Sequence, residues 1–349
     1  VSRVLELRPD IVIMDIDMPV MNGLEATALI AKASTIPVLI FTHNDDPALP
    51  FKALDRGAAD FLLKPDFSDL NKPEYKSRFI ARLRALSGRG RGQAVRSPER
   101  GREGEVAQRA EAAPRGRTGR GEPTSAGRAG NATGAAHGAV GGAVGGAVGG
   151  AAAPVRPAQL PRAAIVVVGA STGGPQAVSR FLSGLKAPFP LAITLVQHIE
   201  TGFDKGYADW LTEETGHRVI LARAGERPQP GTVYVAPTDF HLHLSEAGFV
   251  LEDGPKVLNQ KPSVDVLFRS AAELYGRLTL AVLLTGMGSD GAEGCAAVIA
   301  REGFTVVQDE ASSLIFGMPK AAIARGAASL VLPLDEIGPF VAEVAERLP

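Results

Sequence analysis

The chain has 349 residues, room for two or three domains, and its 45% apolar against 21% charged composition excludes disorder throughout. The formal net charge of −1 hides a division, because residues 87–162 carry 12 Arg and five Glu, a balance of +7 that leaves −8 on the rest. Parts this acidic are poor candidates for binding duplex nucleic acid, which uses a basic face to release counterions, and a single cysteine, Cys295, excludes an intramolecular disulfide framework and fits a reducing, cytoplasmic compartment.

Residues 1–86 alternate short apolar runs with helical spacing. Asp10 to Asp15 is an apolar run ending in acid, Gly23 to Lys32 has helical spacing at Leu24, Ala28 and Leu29, and Pro37 to Thr42 and Phe61 to Pro65 are further buried runs. This βαβ pattern predicts a mostly parallel sheet. No Arg/Lys-led signal peptide opens the chain as given.

Residues 87–162 hold 18 of the 40 Gly and no Phe, Tyr or Trp, and Ala-Val-Gly-Gly occurs three times in tandem from Ala139 to Gly150. Such a stretch cannot build a core and reads as a disordered spacer, too rich in Gly for a membrane span.

The alternation returns in residues 163–349. Ala163 to Gly169, Leu191 to Gln197, Leu278 to Thr285, Phe304 to Gln308 and Ser329 to Leu332 are near-continuous Val/Ile/Leu runs, as in strands covered on both faces. Gln176 to Leu185 puts Ala177, Val178, Phe181, Leu182 and Leu185 on one helical face. From Gly231 to Leu251 the rhythm shortens to Val233-Tyr234-Val235, His241 to Leu244 and Gly248 to Leu251, which predicts an antiparallel hairpin at a sheet edge. A doubly wound, mostly parallel α/β domain is the expectation.

Reactive groups in such a sheet gather at the carboxyl ends of strands. The first run ends Gly169-Ala170-Ser171-Thr172-Gly173-Gly174, the second ends Gln197-His198, and the Leu278 run leads into Thr285-Gly286-Met287-Gly288-Ser289-Asp290-Gly291. Serine, histidine and aspartate together suit acyl transfer: a weak hydroxyl, an imidazole to take its proton, and a carboxylate to hold the imidazole. Ser171 lies in a Gly-x-Ser-x-Gly, where small neighbours allow a sharp strand-to-helix turn, and the helix start supplies N–H groups for an oxyanion. The order Ser, His, Asp differs from the Ser, Asp, His of α/β-hydrolases, so a separate hydrolase family is needed.

The less specific readings remain beside this one. A Gly-rich turn into a helix also suits a phosphate or dinucleotide, although Gly169, Gly173 and Gly174 do not fit G-x-G-x-x-G and no Lys follows as a P-loop requires. His198 alone could be a structural histidine and Asp290 alone a helix cap. His137 lies in the spacer, and His43 and His217 lie in polar turns, where solvated surface is expected. Alternation puts His241 and His243 on one strand face, a metal-pair pattern lacking a third ligand cluster, and Cys295 has the spacing of a small core residue.

These motifs, with Lys261-Pro262-Ser263-Val264-Asp265 and Gln308-Asp309-Glu310-Ala311-Ser312, resemble the chemotaxis protein-glutamate methylesterases of the CheB type over residues 1–86 and about 161–347. The resemblance implies Ser171 as nucleophile, His198 as general base and Asp290 as its orienting carboxylate. It also implies the Met287 N–H in the oxyanion hole, with Thr172 beside the nucleophile. The implied reaction is hydrolysis of glutamate γ-methyl esters on methyl-accepting chemoreceptors to glutamate and methanol, with deamidation of selected glutamines, and without a metal. The alternative is a non-catalytic regulatory module whose Ser171 turn holds an anion or a protein partner.

Residues 1–86 resemble a response-regulator receiver, a flavodoxin-like parallel sheet. Asp15 in Asp15-Ile16-Asp17-Met18-Pro19 would be the phosphoacceptor, with Thr42 and Lys64 as switch residues and a chemotaxis histidine kinase as donor. The receiver's first strand, first helix, second strand and acidic pair are not in the chain as given, so a partial receiver is expected, and Mg²⁺ for phosphorylation would need that pair upstream of Val1. In the family the receiver covers the catalytic cleft. Here a 76-residue spacer spans roughly 45–50 Å root-mean-square, which predicts weaker autoinhibition than a short tether gives.

Overall fold

Strands covered on both faces alternate their side chains between two apolar layers, and this organises the larger half of the chain. The computed structural model describes residues 1–43, 46–65, 72–88, 157 and 160–347; the spacer lies outside them except at its ends. β4 (Ile165–Ala170), β5 (Ala192–Gln197) and β10 (Thr279–Leu283) are buried at every residue. On β4, Val166 and Val168 join one apolar cluster, while Ile165 and Val167 join the other.

Four more strands complete a parallel sheet: β6 (Arg218–Leu221), β7 (Thr232–Val235), β11 (Phe304–Gln308) and β12 (Leu330–Leu332). Its order is β12-β11-β10-β4-β5-β7-β6. From β4 the chain fills one side of the sheet, with β6 at the edge and β7 returning between β5 and β6, and it then resumes at β10 on the other side, so the switch point lies between β4 and β10. Helices α5 (Gly174–Ser183), α6 (Asp204–Thr215) and α10 (Leu334–Ala345) cover one face. The other carries α7 (Val264–Tyr275), α8 (Ala292–Ala300) and α9 (Met318–Ala324).

The short-run region differs from expectation in two ways. Val233 to Val235 belongs to β7, a parallel strand inside the main sheet; its four residues are all buried, so its apolar run marks double coverage, not an edge. The antiparallel hairpin consists of β8 (His241–Ser245) and β9 (Gly248–Glu252) and is a separate two-stranded sheet. The edges of the main sheet are β12 and β6, and the charged first residue of β6, Arg218, masked that strand in the sequence.

His217 is also not on the surface. It is 1% exposed, and its Nε2–H donates to the Leu182 and Leu185 carbonyls at 3.1 and 3.3 Å, closing the end of α5. Burial of the neighbouring helix end overrides the polar sequence around it. His43 is exposed, as a polar turn implies.

The amino-terminal segment forms a three-stranded parallel sheet, β1 (Val12–Met14), β2 (Val38–Thr42) and β3 (Asp60–Leu63), in that order. With it lie α1 (Ser2–Leu7), α2 (Gly23–Ala33), α3 (Leu49–Asp55) and α4 (Pro73–Leu86). Phe51 of α3 packs against Tyr207 and Trp210 of α6, with ring centroids 5.5 and 5.6 Å apart. The Trp210 Nε1–H donates to the Asp55 carboxylate at 3.0 Å, and the Gln176 Nε2–H donates to the Ala58 carbonyl at 2.8 Å. The two sheets therefore share one apolar cluster.

Replacing His217 by Ala removes the ring donor from the Leu185 carbonyl, while the Leu182 carbonyl keeps the Leu185 N–H at 2.9 Å. We expect about 1–3 kcal/mol lost in urea unfolding, and no measurable loss for His43→Ala.

Candidate active site

The carboxyl end of β4 turns into α5 at Ser171 to Gly173, and the residues around the turn leave it little freedom. The Ser171 N–H donates to the Thr285 carbonyl at 3.1 Å, and the Gly174 N–H donates to the Ser171 carbonyl at 2.7 Å. Gln197, last in β5, donates from Nε2 to the Ser171 carbonyl at 2.8 Å and to the His198 carbonyl at 3.1 Å. One amide thus ties the serine turn to the histidine turn. Gly174 makes this possible, since a Cβ there would stand 2.1 Å from Gln197 Oε1. Gly286 must likewise lack a side chain, because its Cβ would lie 2.8 Å from Ser171 Cβ and 2.2 Å from Met318 Sδ.

His198 Nε2 lies 2.8 Å from Asp290 Oδ2, both residues being buried. A carboxylate acceptor requires the proton on Nε2, which leaves Nδ1 as the basic nitrogen; Nδ1 is buried and has no partner among the described residues. Ser171 and His198 line one cleft but do not form a hydrogen bond here; catalytic contacts of this kind often tighten only when substrate is bound.

Asp290 is held by more than the histidine. Its Oδ1 accepts from Ser263 Oγ at 2.8 Å and from the Asp265 N–H at 2.9 Å, and its Oδ2 also accepts from the Val264 N–H at 2.8 Å. It therefore caps the start of α7 from outside that helix. The service is returned: Asp265 Oδ1 accepts from the N–H groups of Gly291 and Gly294, at 2.9 and 2.7 Å, at the start of α8. Burial by itself raises the Asp290 carboxyl. The His198 hydrogen bond and charge, with the Asp265 and Val264 N–H groups, outweigh it and hold the carboxyl below its ordinary value.

Thr172 and Met287 border the same cleft. Thr172 Oγ1 is buried without a partner, and the Met287 N–H donates to no carbonyl among the described residues. In α5 the Gly174 N–H is taken by the Ser171 carbonyl and Pro175 has none, so the N–H groups left for a developing oxyanion are those of Thr172 and Met287, neither of which donates to a carbonyl among the described residues. The opposite wall comes from the amino-terminal segment, as Asp60, Phe61, Arg78 and Arg82. Arg78 Nη2 pairs with Glu200 at 3.0 Å, and Arg82 Nε lies 3.2 Å from Asp60 Oδ2. The lining roles of Glu200 and these two arginines had no signal in local sequence, because each arises from contact between distant segments.

Asp15, Thr42 and Lys64 also come together. Lys64 Nζ pairs with the Asp15 carboxylate, and the Lys64 N–H donates to the Thr42 carbonyl at 2.7 Å. Burial opposes ionisation of Asp15, but the Lys64 hydrogen bond and charge prevail and hold its carboxyl below the usual range. No group of three or more His, Cys, Asp or Glu gathers as a metal site among the described residues. The described residues around Asp15 do not fit a Mg²⁺ ion.

His241 and His243 have other partners. The His241 ring accepts the Ser263 N–H at Nδ1, 3.2 Å away, and donates from Nε2 to the Pro255 carbonyl at 2.9 Å. His243 Nε2 lies 2.6 Å from Glu252 Oε2. Cys295 is fully buried in α8, and burial together with the Asp265 charge pushes its thiol up, away from the reactive thiolate.

The CheB methylesterase family model matches residues 166–341, and the response regulator receiver model matches residues 1–72. Among curated relatives, a protein-glutamate methylesterase/protein-glutamine glutaminase of Anaeromyxobacter dehalogenans is 39% identical over 95% of this chain and 82% of its own. One from Pseudomonas syringae is 35% identical over 99% of this chain and 88% of its own. The crystal structure of the Thermotoga maritima CheB methylesterase catalytic domain matches at 39% identity with a TM-score of 0.50, covering 53% of this chain and 98% of that one. No helix among the described residues is long and apolar enough to cross a membrane.

Because the Asp290 carboxyl lies below its unfolded value of about 4, its contribution to stability is complete above that pH and is lost as pH falls through the lower folded-state value. Urea unfolding from about pH 5 down to about pH 2 should show this loss in the parent and a flatter profile in Asp290→Asn.

Proposed function

The chain belongs to the CheB methylesterase family, and from that premise we propose that it hydrolyses glutamate γ-methyl esters on methyl-accepting chemoreceptors, yielding glutamate and methanol. The site residues are Ser171 as nucleophile, His198 as general base and Asp290 as the carboxylate that fixes its tautomer. The observation that carries this reading is the Nε2 bond from His198 to Asp290, which leaves an unpartnered basic Nδ1 in the cleft that also holds Ser171.

In the proposed mechanism Nδ1 takes the Ser171 proton as Oγ attacks the ester carbonyl. The negative charge on the carbonyl oxygen falls to the N–H groups of Thr172 and Met287, since the Gly174 N–H is held by the Ser171 carbonyl and Pro175 has none. Collapse of the tetrahedral adduct expels methoxide, which takes the proton from His198 and leaves as methanol. Water then attacks the acyl-enzyme, giving its proton to Nδ1, and the proton returns to Ser171 as glutamate is released. A primary amide can follow the same route with ammonia as leaving group, so glutamine deamidation belongs to the same proposal. Neither step calls on a metal. A non-catalytic anion site at the Ser171 turn would have no use for a buried imidazole–carboxylate pair aimed at it.

The receiver supplies one wall of this cleft, so entry of a receptor helix requires the receiver to move. Arg78 and Glu200 are one contact that holds it. We assign Asp15 as the acceptor of a phosphoryl group from a chemotaxis histidine kinase, in the cytoplasm, on the condition that an acidic pair for Mg²⁺ is supplied from outside the residues given, and adjustment of receptor sensitivity during adaptation as the physiological role.

Methanol release from methylated receptor should fall at least about 10³-fold in Ser171→Ala with the fold retained; release at the parent rate would remove the serine mechanism. Arg78→Glu sets like charges against each other at Glu200. For a pair of this exposure, worth up to about 1 kcal/mol, the rate should rise up to about fivefold in the unphosphorylated full chain.

A further inference from the structure

The cleft chemistry uses one carboxylate, yet two are buried side by side. Asp265 is 1% exposed. Among the described residues no cation pairs with it: Arg269, one turn along α7, turns its Nε–H to the Asp265 backbone carbonyl at 3.2 Å. What the side chain does for the fold is to accept the Gly291 and Gly294 N–H groups. An asparagine carbonyl oxygen would accept the same two bonds and would avoid burying a second negative charge next to Asp290. The capping role therefore accounts for the oxygen but leaves the charge unexplained.

The charge has one evident use. When His198 takes the serine proton it becomes an imidazolium in a buried site, and negative charge fixed nearby favours that state before any solvent can rearrange. Asp290 supplies the contact. Asp265 stands directly behind it, their backbones and carboxylates interlocked by the four bonds between the starts of α7 and α8.

We propose that Asp265 is a positioning residue for the esterase reaction, acting through Asp290 both to fix that carboxylate and to add negative charge that stabilises the His198 imidazolium. The proposal rests on the esterase reading given above. Burial pushes the Asp265 carboxyl up, and the Asp290 charge does so further, against the Gly294 and Gly291 N–H groups and Arg269. A pair of carboxylates in this state is a cost to stability, of the kind retained where function needs it. The other titratable or charged groups around the pair are Cys295 on α8 and His241 on the hairpin. Around His198 they are Glu200 and, from the receiver, Asp60, Arg78 and Arg82.

The test compares the parent, Asp265→Asn and Asp265→Glu as full chains, reading methanol release from methylated receptor across pH. Asp265→Asn keeps the acceptor and removes the charge. It should unfold in urea at the same or a higher concentration near neutral pH, keep KM, and lose about tenfold in kcat. Its kcat/KM acid limb should move to lower pH by about one unit, since the imidazole has become less basic. Asp265→Glu should keep the parent's acid limb even where its longer side chain lowers kcat. An Asp265→Asn protein with the parent's kcat and acid limb overturns the proposal, as does an Asp265→Glu protein whose limb moves as far as that of Asp265→Asn. If the parent itself releases no methanol, the esterase reading has failed instead.

Discussion

Two helices that begin on each other's carboxylates are the constraint on which the candidate site depends. Asp290 satisfies the first N–H groups of α7 while Asp265 satisfies those of α8, so neither helix start can shift without uncapping the other. Each cap is worth about 1 kcal/mol in ordinary settings. Here the exchange also immobilises a buried carboxylate, and that immobility fixes the imidazole. A carboxylate that accepts four hydrogen bonds cannot rotate to follow the ring, so the ring is oriented by it.

The other half of the site is fixed by a different device. Ser171 depends on Gln197, whose single amide group spans the serine and histidine turns, and on glycines that let neighbouring segments come within contact distance. The site therefore straddles the switch point, with Ser171 and His198 following β4 and β5 on one side and Asp290 following β10 on the other. Ser171 and His198 line one cleft without bonding, which suits the nucleophile and base proposed for them.

Much of this arrangement was legible in the sequence, for a physical reason. Strands covered on both faces must be apolar, so a polar residue at the end of such a run stands out, and Ser171 and His198 are each the end of one. Asp290 is less visible, seven residues beyond β10, and is recognisable only through its motif. The roles of Ser263 and Asp265 were not legible: they depend on α7 and α8 meeting end to end, and no local pattern records which helix starts will face each other. His217 failed for a related reason, since its polar neighbours reach solvent while its ring does not. The sequence does not separate β7 from an edge strand, because a short buried strand and an edge strand look alike over four residues.

The aromatic contact of Phe51 with Tyr207 and Trp210 gives the closed cleft a thermal character. Apolar association near room temperature is driven largely by the release of water, and it weakens on cooling. The ion pair between Arg78 and Glu200 has no such dependence of comparable size. Closure held mainly by rings therefore loosens in the cold, so that a fall in temperature would offset part of the slowing of the chemistry by leaving the cleft open more of the time.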